Sequence, residues 1–106
     1  MVRQPRVTVV TDSSSCIPRE LQEECGIVVV PHQLITDGRT YRDGLEIEPR
    51  QFYQLLQQNG TIFTTSGPGP QAFLNAFQAA AAEGRDIICI TVSPRFSATT
   101  YSSAQI

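Results

Sequence analysis

Blocks of apolar residues separated by polar stretches predict three strands in this chain. The blocks are Val7–Asp12, Ile27–Val30 and Ile87–Val92, and they are rich in β-branched residues. Their apolar runs are nearly continuous, as in parallel strands that are covered on both faces. We expect the last block to be the most clearly buried strand.

Apolar residues at helical spacing predict helices between these strands. Phe73, Phe77 and Ala80 recur at the spacing of one helix face. The expected helices run from about Pro18 to Cys25, ended by Gly26; from Glu48-Pro49 to a stop at Asn59-Gly60; from about Pro70 to Glu83, ended by Gly84; and onward from about Thr100.

Two further segments are predicted from their turn residues. Pro31 closes the second strand, which Gln33–Thr36 is expected to continue. Asp37-Gly38 is a typical turn pair and predicts a hairpin tip. The segment from Thr61 to Pro70 is rich in glycine and proline and is predicted to be a loop.

The order of these elements predicts an α/β fold. Strands that alternate with helices favour a parallel sheet with helices on its faces, and therefore three layers. The last helix breaks off after about two turns, and a sheet of three parallel strands is thin. We therefore expect residues 1–106 to be the N-terminal domain of a longer, truncated protein.

Composition and charge exclude several classes of protein. The chain has 106 residues, which suits one domain, and 41% are hydrophobic, which is too many for a disordered chain. No apolar run approaches the roughly 20 residues that span a bilayer. The start of the chain does not resemble a signal peptide. A net charge of -2 gives no basic surface for nucleic acid.

The cysteines and the single histidine predict neither disulfides nor a metal site. Cys16, Cys25 and Cys89 lie far apart in sequence, so we expect one or two buried thiols in a reduced, cytoplasmic protein. His32 has no cysteine or histidine at a zinc-ligand spacing, and a structural or surface role is favoured for it.

Hydroxyl-rich segments are predicted to meet at one edge of the sheet. Asp12–Ser15 follows the first strand, Ser93–Thr99 follows the last strand, and Thr64-Thr65-Ser66 precedes a helix. Ligands of open parallel sheets bind beyond the carboxyl ends of the strands. Hydroxyls and free backbone N–H groups there suit a carboxylate or a phosphate. The alternative is that the hydroxyls are helix caps and that Asp12 binds only local amides.

Enzymatic alternatives have weaker support. A serine hydrolase would need Ser66 or Ser97 with His32 and Asp12, but the chain has no G-x-S-x-G motif. The chain contains no lysine and therefore no P-loop. Asp12 could act as a phosphoryl-accepting aspartate at the end of the first strand. The second acidic residue expected two positions later is absent, because position 14 is Ser14.

Several motifs, in order and over almost the whole chain, resemble the N-terminal part of the DegV family of bacterial fatty-acid-binding proteins. They are Val9-Val10-Thr11-Asp12-Ser13-Ser14, Ile27-Val28-Val29-Val30-Pro31, Asp37-Gly38-Arg39-Thr40-Tyr41-Arg42-Asp43-Gly44, Phe63-Thr64-Thr65-Ser66-Gly67-Pro68, and Ile90-Thr91-Val92-Ser93 with Ser97-Ala98-Thr99. Ala98 stands where the family commonly has glycine, and one extra residue follows Thr99, so the register there departs from the family pattern.

The resemblance implies a carrier of fatty acid and not an enzyme. The family has two domains, and this chain corresponds to roughly the first third. By resemblance, Thr64, Thr65 and Ser97 hold the carboxylate of one long-chain fatty acid, with Ser66, Ser93 and Thr99 as neighbours and Asp12 and Ser13 in support.

The same resemblance implies how the carrier is used. A separate fatty acid kinase receives the fatty acid and makes an acyl phosphate for phospholipid synthesis. The bound fatty acid would be the only ligand, with no cofactor, metal, nucleic acid or stable membrane insertion. The alternative kept open is an acyl- or phosphate-handling enzyme that uses the same loops.

Overall fold

The computed structural model describes residues 6–36, 38–58 and 62–105 and has an α/β architecture. The strands are β1 (Val7–Asp12), β2 (Val28–Val30), β3 (Gln33–Thr36), β4 (Arg39–Arg42), β5 (Thr64–Ser66) and β6 (Asp86–Ile90), and the helices are α1 (Arg19–Cys25), α2 (Pro49–Leu56), α3 (Pro70–Ala82) and α4 (Ala98–Ala104). A short 3-10 turn, Ser13–Ser15, follows β1.

The three strands expected from the apolar blocks form a parallel sheet in the order β2-β1-β6. Asp12, the last residue of β1, pairs with Val30 of β2, and Thr11 pairs with Ile90 of β6. The carboxyl ends of all three strands therefore meet at one edge. The predicted fold class is confirmed.

The core lies between this sheet and α3. Val10 of β1, Val30 of β2 and Phe73 of α3 form the fully buried cluster. The partly buried residues packed against it are Ala72, Ala76, Phe77, Ile87 and Ala104. Because Phe73 and Phe77 lie on the helix face that meets the sheet, the predicted helical stripe is confirmed there.

A second sheet is antiparallel, in the order β4-β3-β5. Residues Gln33–Thr36 form the separate strand β3, so the expectation that they continue β2 is wrong. The predicted hairpin between β3 and β4 is confirmed, and Gly38 takes a positive φ of 74° that glycine adopts without strain. Asp37, the other half of the turn pair, lies outside the described residues.

The Thr-Thr-Ser segment is a strand and not the predicted loop. β5 pairs with β3 with Ile35 opposite Thr64 and Gln33 opposite Ser66. This pairing is specified by hydrogen bonds to β3, because all three residues of β5 are exposed and have no apolar alternation.

Two burial predictions are wrong. β6 is at the edge of its sheet among the described strands, and Ile88 and Ile90 are 52% and 57% exposed. The apolar composition of β6 suggested a buried strand, but composition does not specify whether another strand or helix packs against it. Cys16, Cys25 and Cys89 are free and exposed, and none is a buried thiol.

Helix ends follow the capping residues closely. Gly26 ends α1 with a φ of 65°, and Glu48 opens α2 with a capping box to Gln51. Pro18 is the N-cap of α1 and not its first helical residue. The expected stop of α2 at Asn59-Gly60 lies outside the described residues. α4 begins at Ala98, two residues before the predicted start.

Candidate functional site

One buried carboxylate joins the carboxyl ends of the three parallel strands. Asp12 is fully buried, and its Oδ1 accepts the N–H of Ser14 at 2.8 Å. Its Oδ2 accepts the N–H of Val92, just beyond β6, at 2.7 Å. The ring Nε2 of His32, just beyond β2, lies 3.1 Å from Oδ1.

These donors keep the carboxylate ionised. Burial by itself raises the pKa of Asp12, but hydrogen bonds from Ser14, Val92 and His32 outweigh burial and lower the pKa below its usual value. An ionised carboxylate only accepts hydrogen bonds, so Nε2 of His32 carries the proton and donates. Asp12 caps a local turn, as the alternative held, and it also binds groups far away in sequence.

The backbone of His32 is held at both of its polar groups. Its N–H donates to Ser13 Oγ at 2.9 Å, and its carbonyl accepts the N–H of Asp43 at 2.9 Å. Ser13, expected to support the site, therefore fixes the chain at His32. These contacts and the bond to Asp12 hold the His32 ring at the carboxyl edge of the sheet.

The second sheet brings the Thr-Thr-Ser strand to the same edge. His32 directly precedes β3, and the pairs Gln33–Ser66 and Leu34–Thr65 set Thr65 and Ser66 beside the start of that strand. The unpredicted antiparallel sheet is thus the reason that these hydroxyls approach the carboxyl ends of β1, β2 and β6.

Ser97 is the N-cap of α4 and is bonded to a buried threonine. Its Oγ accepts the N–H of Thr100 at 3.4 Å and lies 2.8 Å from Thr100 Oγ1. Thr100 is fully buried, and a Cβ on Gly67 would overlap its Oγ1. The close approach of Gly67 therefore requires glycine, and it links the end of β5 to the start of α4.

The departures from the family pattern near Ser97 are accommodated. Among the described residues, Cys16 is the one non-glycine residue with a positive φ, so Ala98 does not occupy a position that requires glycine. The helix begins at Ala98, and the following Thr100 is packed inward.

These groups surround a cavity of about 470 Å³. Its lining residues are His32, Thr65, Ser66, Gly67, Val92, Phe96, Ser97 and Thr99. Four of the six residues expected to hold a carboxylate are therefore brought together. The lining contains no lysine, arginine, aspartate or glutamate among the described residues.

The other two predicted carboxylate ligands do not line this cavity. Thr64 is exposed on β5 and pairs with Ile35. The Oγ of Ser93 accepts the N–H of Arg95 at 3.2 Å, and its carbonyl accepts the N–H of Phe96 and of Ser97. The contacts of Ser93 stabilise the turn before α4.

A second cavity, of about 640 Å³, lies between α1 and the segment that joins β4 to α2. Ser13, Ile17, Leu45 and Pro49 are among its lining residues. It contains neither the Thr-Thr-Ser strand nor the start of α4. The hydroxyl groups of interest are therefore gathered at the smaller cavity.

The sequence reasoning missed three residues of the site, namely His32, Gly67 and Thr100. His32 was assigned a structural or surface role, although its place directly after a parallel strand was a usable signal. The roles of Gly67 and Thr100 depend on one close contact between distant segments. No sequence pattern shows that contact.

The arrangement can donate several hydrogen bonds to an anion. Thr65, Ser66, Ser97 and Thr99 line one cavity, and hydroxyl donors bind a carboxylate well. No hydrogen bond joins the His32 ring to a hydroxyl of Ser66 or Ser97 in the described part of the chain.

Fold and site together define an α/β domain with a hydroxyl-lined cavity at the carboxyl edge of a parallel sheet. The model of the DegV family, described as uncharacterised proteins, matches residues 6–106. The chain belongs to the DegV family.

Relatives with similar sequences support this assignment. A DegV domain-containing protein of Clostridium perfringens is 36% identical over 100 residues, which cover 94% of this chain and 35% of the relative. One from Caldanaerobacter subterraneus is 38% identical over 101 residues, which cover 95% of this chain and 35% of the relative. The chain thus spans about 35% of the length of these curated relatives.

Solved structures with the same fold include fatty-acid-binding proteins. DegV of Bacillus subtilis, a fatty acid binding protein, has a TM-score of 0.85 and 30% identity, with 96% of this chain and 36% of that chain covered. A DegV family protein of Thermus thermophilus, described by its fatty acid binding, has a TM-score of 0.82 and 35% identity, with 94% and 35% covered. A stearic acid-binding protein of Eubacterium ventriosum has a TM-score of 0.85 and 27% identity, with 96% and 34% covered.

Two features are absent from the described residues. None of their helices has both the length and the apolar content that a membrane crossing requires. Nor do the described residues contain three or more His, Cys, Asp or Glu side chains grouped as metal ligands.

Proposed function

We propose that this chain binds a long-chain fatty acid through its carboxylate. The observation that carries the proposal is the cavity lined by hydroxyl-bearing residues of β5 and of the start of α4. Thr65 and Ser66 belong to β5, Ser97 is the N-cap of α4, and Thr99 lies in its first turn. Relatives with this fold bind fatty acids, which supports the same ligand class here.

The chemistry of the donors suits a carboxylate. Hydrogen bonds to an ionised oxygen are about twice as strong as those between neutral groups, so hydroxyls can hold the anion without arginine or lysine. When Thr100 Oγ1 donates to Ser97 Oγ, the hydroxyl proton of Ser97 is free to point toward a ligand oxygen. Thr100 thereby favours Ser97 as a donor.

The acyl chain begins at the apolar side of the same cavity. Val92 and Phe96 line it, and Phe96 is 86% exposed. Burial of an acyl chain contributes about 0.8 kcal/mol per CH₂ group. We propose that a second domain of the DegV fold, beyond residues 1–106, encloses the remainder of the acyl chain.

Removal of one hydroxyl tests the carboxylate site. Thr65→Val keeps the size and branching of the side chain and should weaken the affinity for oleate about tenfold, because one charge-assisted hydrogen bond is lost. The affinity is measured by isothermal titration calorimetry. Thr40→Val, an exposed threonine of β4, is the matched control and should bind like the wild type. Equal affinity of the Thr65→Val variant and the wild type would contradict the proposed site.

We further propose that the bound fatty acid is presented to a separate fatty acid kinase for phospholipid synthesis. A carrier needs to expose the carboxylate, and the cavity lies at the surface beside exposed Thr65 and Thr99. The test mixes the chain, labelled fatty acid, ATP and a bacterial fatty acid kinase. Acyl phosphate should form only when the chain is present and should decrease with Thr65→Val.

An acyl- or phosphate-handling enzyme is the second candidate, because His32, which is bonded to Asp12, lines the same cavity as Ser66 and Ser97. An enzyme would release product repeatedly from an acyl ester or acyl phosphate, whereas a carrier binds one ligand without turnover. Steady turnover that Ser97→Ala abolishes would favour the enzyme. Stoichiometric binding without turnover would favour the carrier.

A further inference from the structure

We propose that His32 binds one oxygen of the fatty-acid carboxylate through its ring Nδ1, and that Asp12 is the residue that positions the ring. This inference rests on the proposed function and adds a ligand contact to it. The hydroxyls of Thr65 and Ser97 and the His32 imidazole then bind the same carboxylate from different sides of the cavity.

The geometry leaves one ring nitrogen for the ligand. Nε2 of His32 donates to the buried Asp12 carboxylate at 3.1 Å. His32 lines the cavity, and its side chain retains 16% exposure. Because Nε2 is engaged and the backbone is held by Ser13 and Asp43, Nδ1 is the polar ring atom that remains available. The hydrogen bond from Nε2 to Asp12 fixes the orientation of the ring and therefore the position of Nδ1.

Few charged groups surround the His32 ring. His32 is the one titratable residue among the described residues that line the cavity. The charged residues in contact with it are Asp12, which accepts from Nε2, and Asp43, which donates its backbone N–H to the His32 carbonyl. The thiol of Cys89 on β6 is near enough to the Asp12 charge to be affected by it.

A protonated ring between two carboxylates is favoured over a neutral ring. Nε2 is already engaged with Asp12, and Nδ1 can donate to a ligand oxygen only when it carries a proton, so binding of the carboxylate should add one proton to the ring. The affinity for the fatty-acid anion should therefore rise as pH falls from 8 to 6. The hydroxyl contacts do not titrate in this range and give no such dependence.

The ring of His32 can be observed directly, because it is the single histidine of the chain. Nitrogen-15 NMR spectra of the imidazole are recorded during titration with lauric acid and, separately, with its methyl ester. The acid should shift the Nδ1 resonance toward its protonated position and leave Nε2 protonated. The ester, which lacks the anionic carboxylate, should leave Nδ1 unshifted. Identical responses to acid and ester would overturn the proposal.

Substitution gives an independent readout. His32→Gln should weaken binding of the acid about tenfold at pH 6 and remove most of the increase in affinity between pH 8 and 6. The matched control is Gln78→Ala, an exposed position on α3 outside the cavity, which should keep both the affinity and the pH profile. If His32→Gln does not fold, the comparison of acid and ester in the wild type decides the question.

The outcomes separate this inference from the proposed function. If Thr65→Val weakens binding while His32→Gln keeps the affinity and the pH profile of the wild type, the role of His32 is refuted and the hydroxyl site stands. If the wild-type protein binds no fatty acid, the proposed function fails and the role of His32 fails with it.

Discussion

The two sheets of this small domain are stabilised in different ways. In the parallel sheet, Val10 and Asp12 of the central strand are fully buried, and Phe73 of α3 packs against it. In the antiparallel sheet, all of β5 is exposed, and burial is concentrated at Leu34 and Thr36 of β3. The first sheet is held by a hydrophobic core, whereas the second depends mainly on backbone pairing.

The candidate site takes groups from both sheets. The parallel sheet supplies the Asp12–His32 pair and Val92, and it leads into the turn that carries Ser97. The antiparallel sheet supplies Thr65 and Ser66. The difference indicates that substitutions in the parallel region should affect stability first, whereas substitutions around β5 should affect ligand affinity first.

The largest effect should follow loss of the central aromatic residue of the core. Phe73→Ala should lower the free energy of unfolding by about 3–5 kcal/mol, because it leaves a cavity between α3 and the parallel sheet. The measurement is urea unfolding followed by circular dichroism.

The matched aromatic substitution lies beside the antiparallel sheet. Phe52→Ala removes a half-buried ring whose centroid is 4.8 Å from that of Phe63, and should cost about 1–2 kcal/mol. Equal costs for Phe52 and Phe73 would refute the contrast between the two regions.

The next largest effect should come from the Asp12 carboxylate. Asp12→Asn keeps the shape of the side chain but cannot accept from Ser14, Val92 and His32 together, so it should cost about 2 kcal/mol. Urea unfolding at pH 7 measures this difference. An unchanged unfolding midpoint would show that the three strand ends do not depend on this charge.

The same carboxylate should make stability depend on acid. The pKa of Asp12 is lowered in the folded protein, so its contribution is complete above the unfolded value of about 3.9 and is lost as pH falls through the lower folded value. Thermal unfolding between pH 5 and 2 should show a smaller loss of stability for Asp12→Asn than for the wild type. Parallel curves for the two proteins would contradict the assignment.

An effect on stability of similar size, with a clear effect on binding, is expected at the contact between β5 and α4. Gly67→Ala introduces a methyl group that overlaps Thr100 Oγ1, so it should cost about 1–3 kcal/mol and weaken oleate binding by displacing Ser97. Gly69→Ala is the matched control, because its Cβ meets no atom within 4 Å. Calorimetry should show a loss of affinity for the first variant only.

The smallest effect is expected at an exposed ion pair beside the antiparallel sheet. Arg42 Nε and Glu46 Oε1 lie 2.8 Å apart, and Arg42 lowers the pKa of Glu46. Solvent screens exposed pairs, so Glu46→Gln should leave the thermal unfolding midpoint unchanged within error. A clear decrease would show that the antiparallel region depends on charge as well as on backbone pairing.

Much of the fold could be predicted from the sequence because its signals are local. The β-branched blocks specified the three parallel strands, and Gly26 and Gly38 marked positions whose positive φ favours glycine. The strand β5 could not be predicted in this way, because Thr64, Thr65 and Ser66 are exposed and their conformation is set by pairing with β3. The exposure of Ile88 and Ile90 was also missed. An apolar strand sequence shows that burial of the strand is favourable, but not that another element of the fold buries it.

The site was predictable to the extent that it follows from strand ends. Thr65, Ser66, Ser97 and Thr99 were expected near one edge, and the structure brings these four residues to one cavity. The pairing of His32 with Asp12 depends on the register of β1 against β2, which apolar periodicity does not specify. The contact of Gly67 with Thr100 depends on how α4 packs after β6.

The hydrogen bonds of Asp12 also determine when the site becomes ordered. Its three donors stand 2, 20 and 80 positions away along the chain, so they are united only when the parallel sheet assembles. The conformational entropy of the His32 ring and of the segment at Val92 is therefore lost during folding, before any ligand arrives. A ligand that enters this cavity meets groups that are already immobile, and its binding free energy is not reduced by the need to order them.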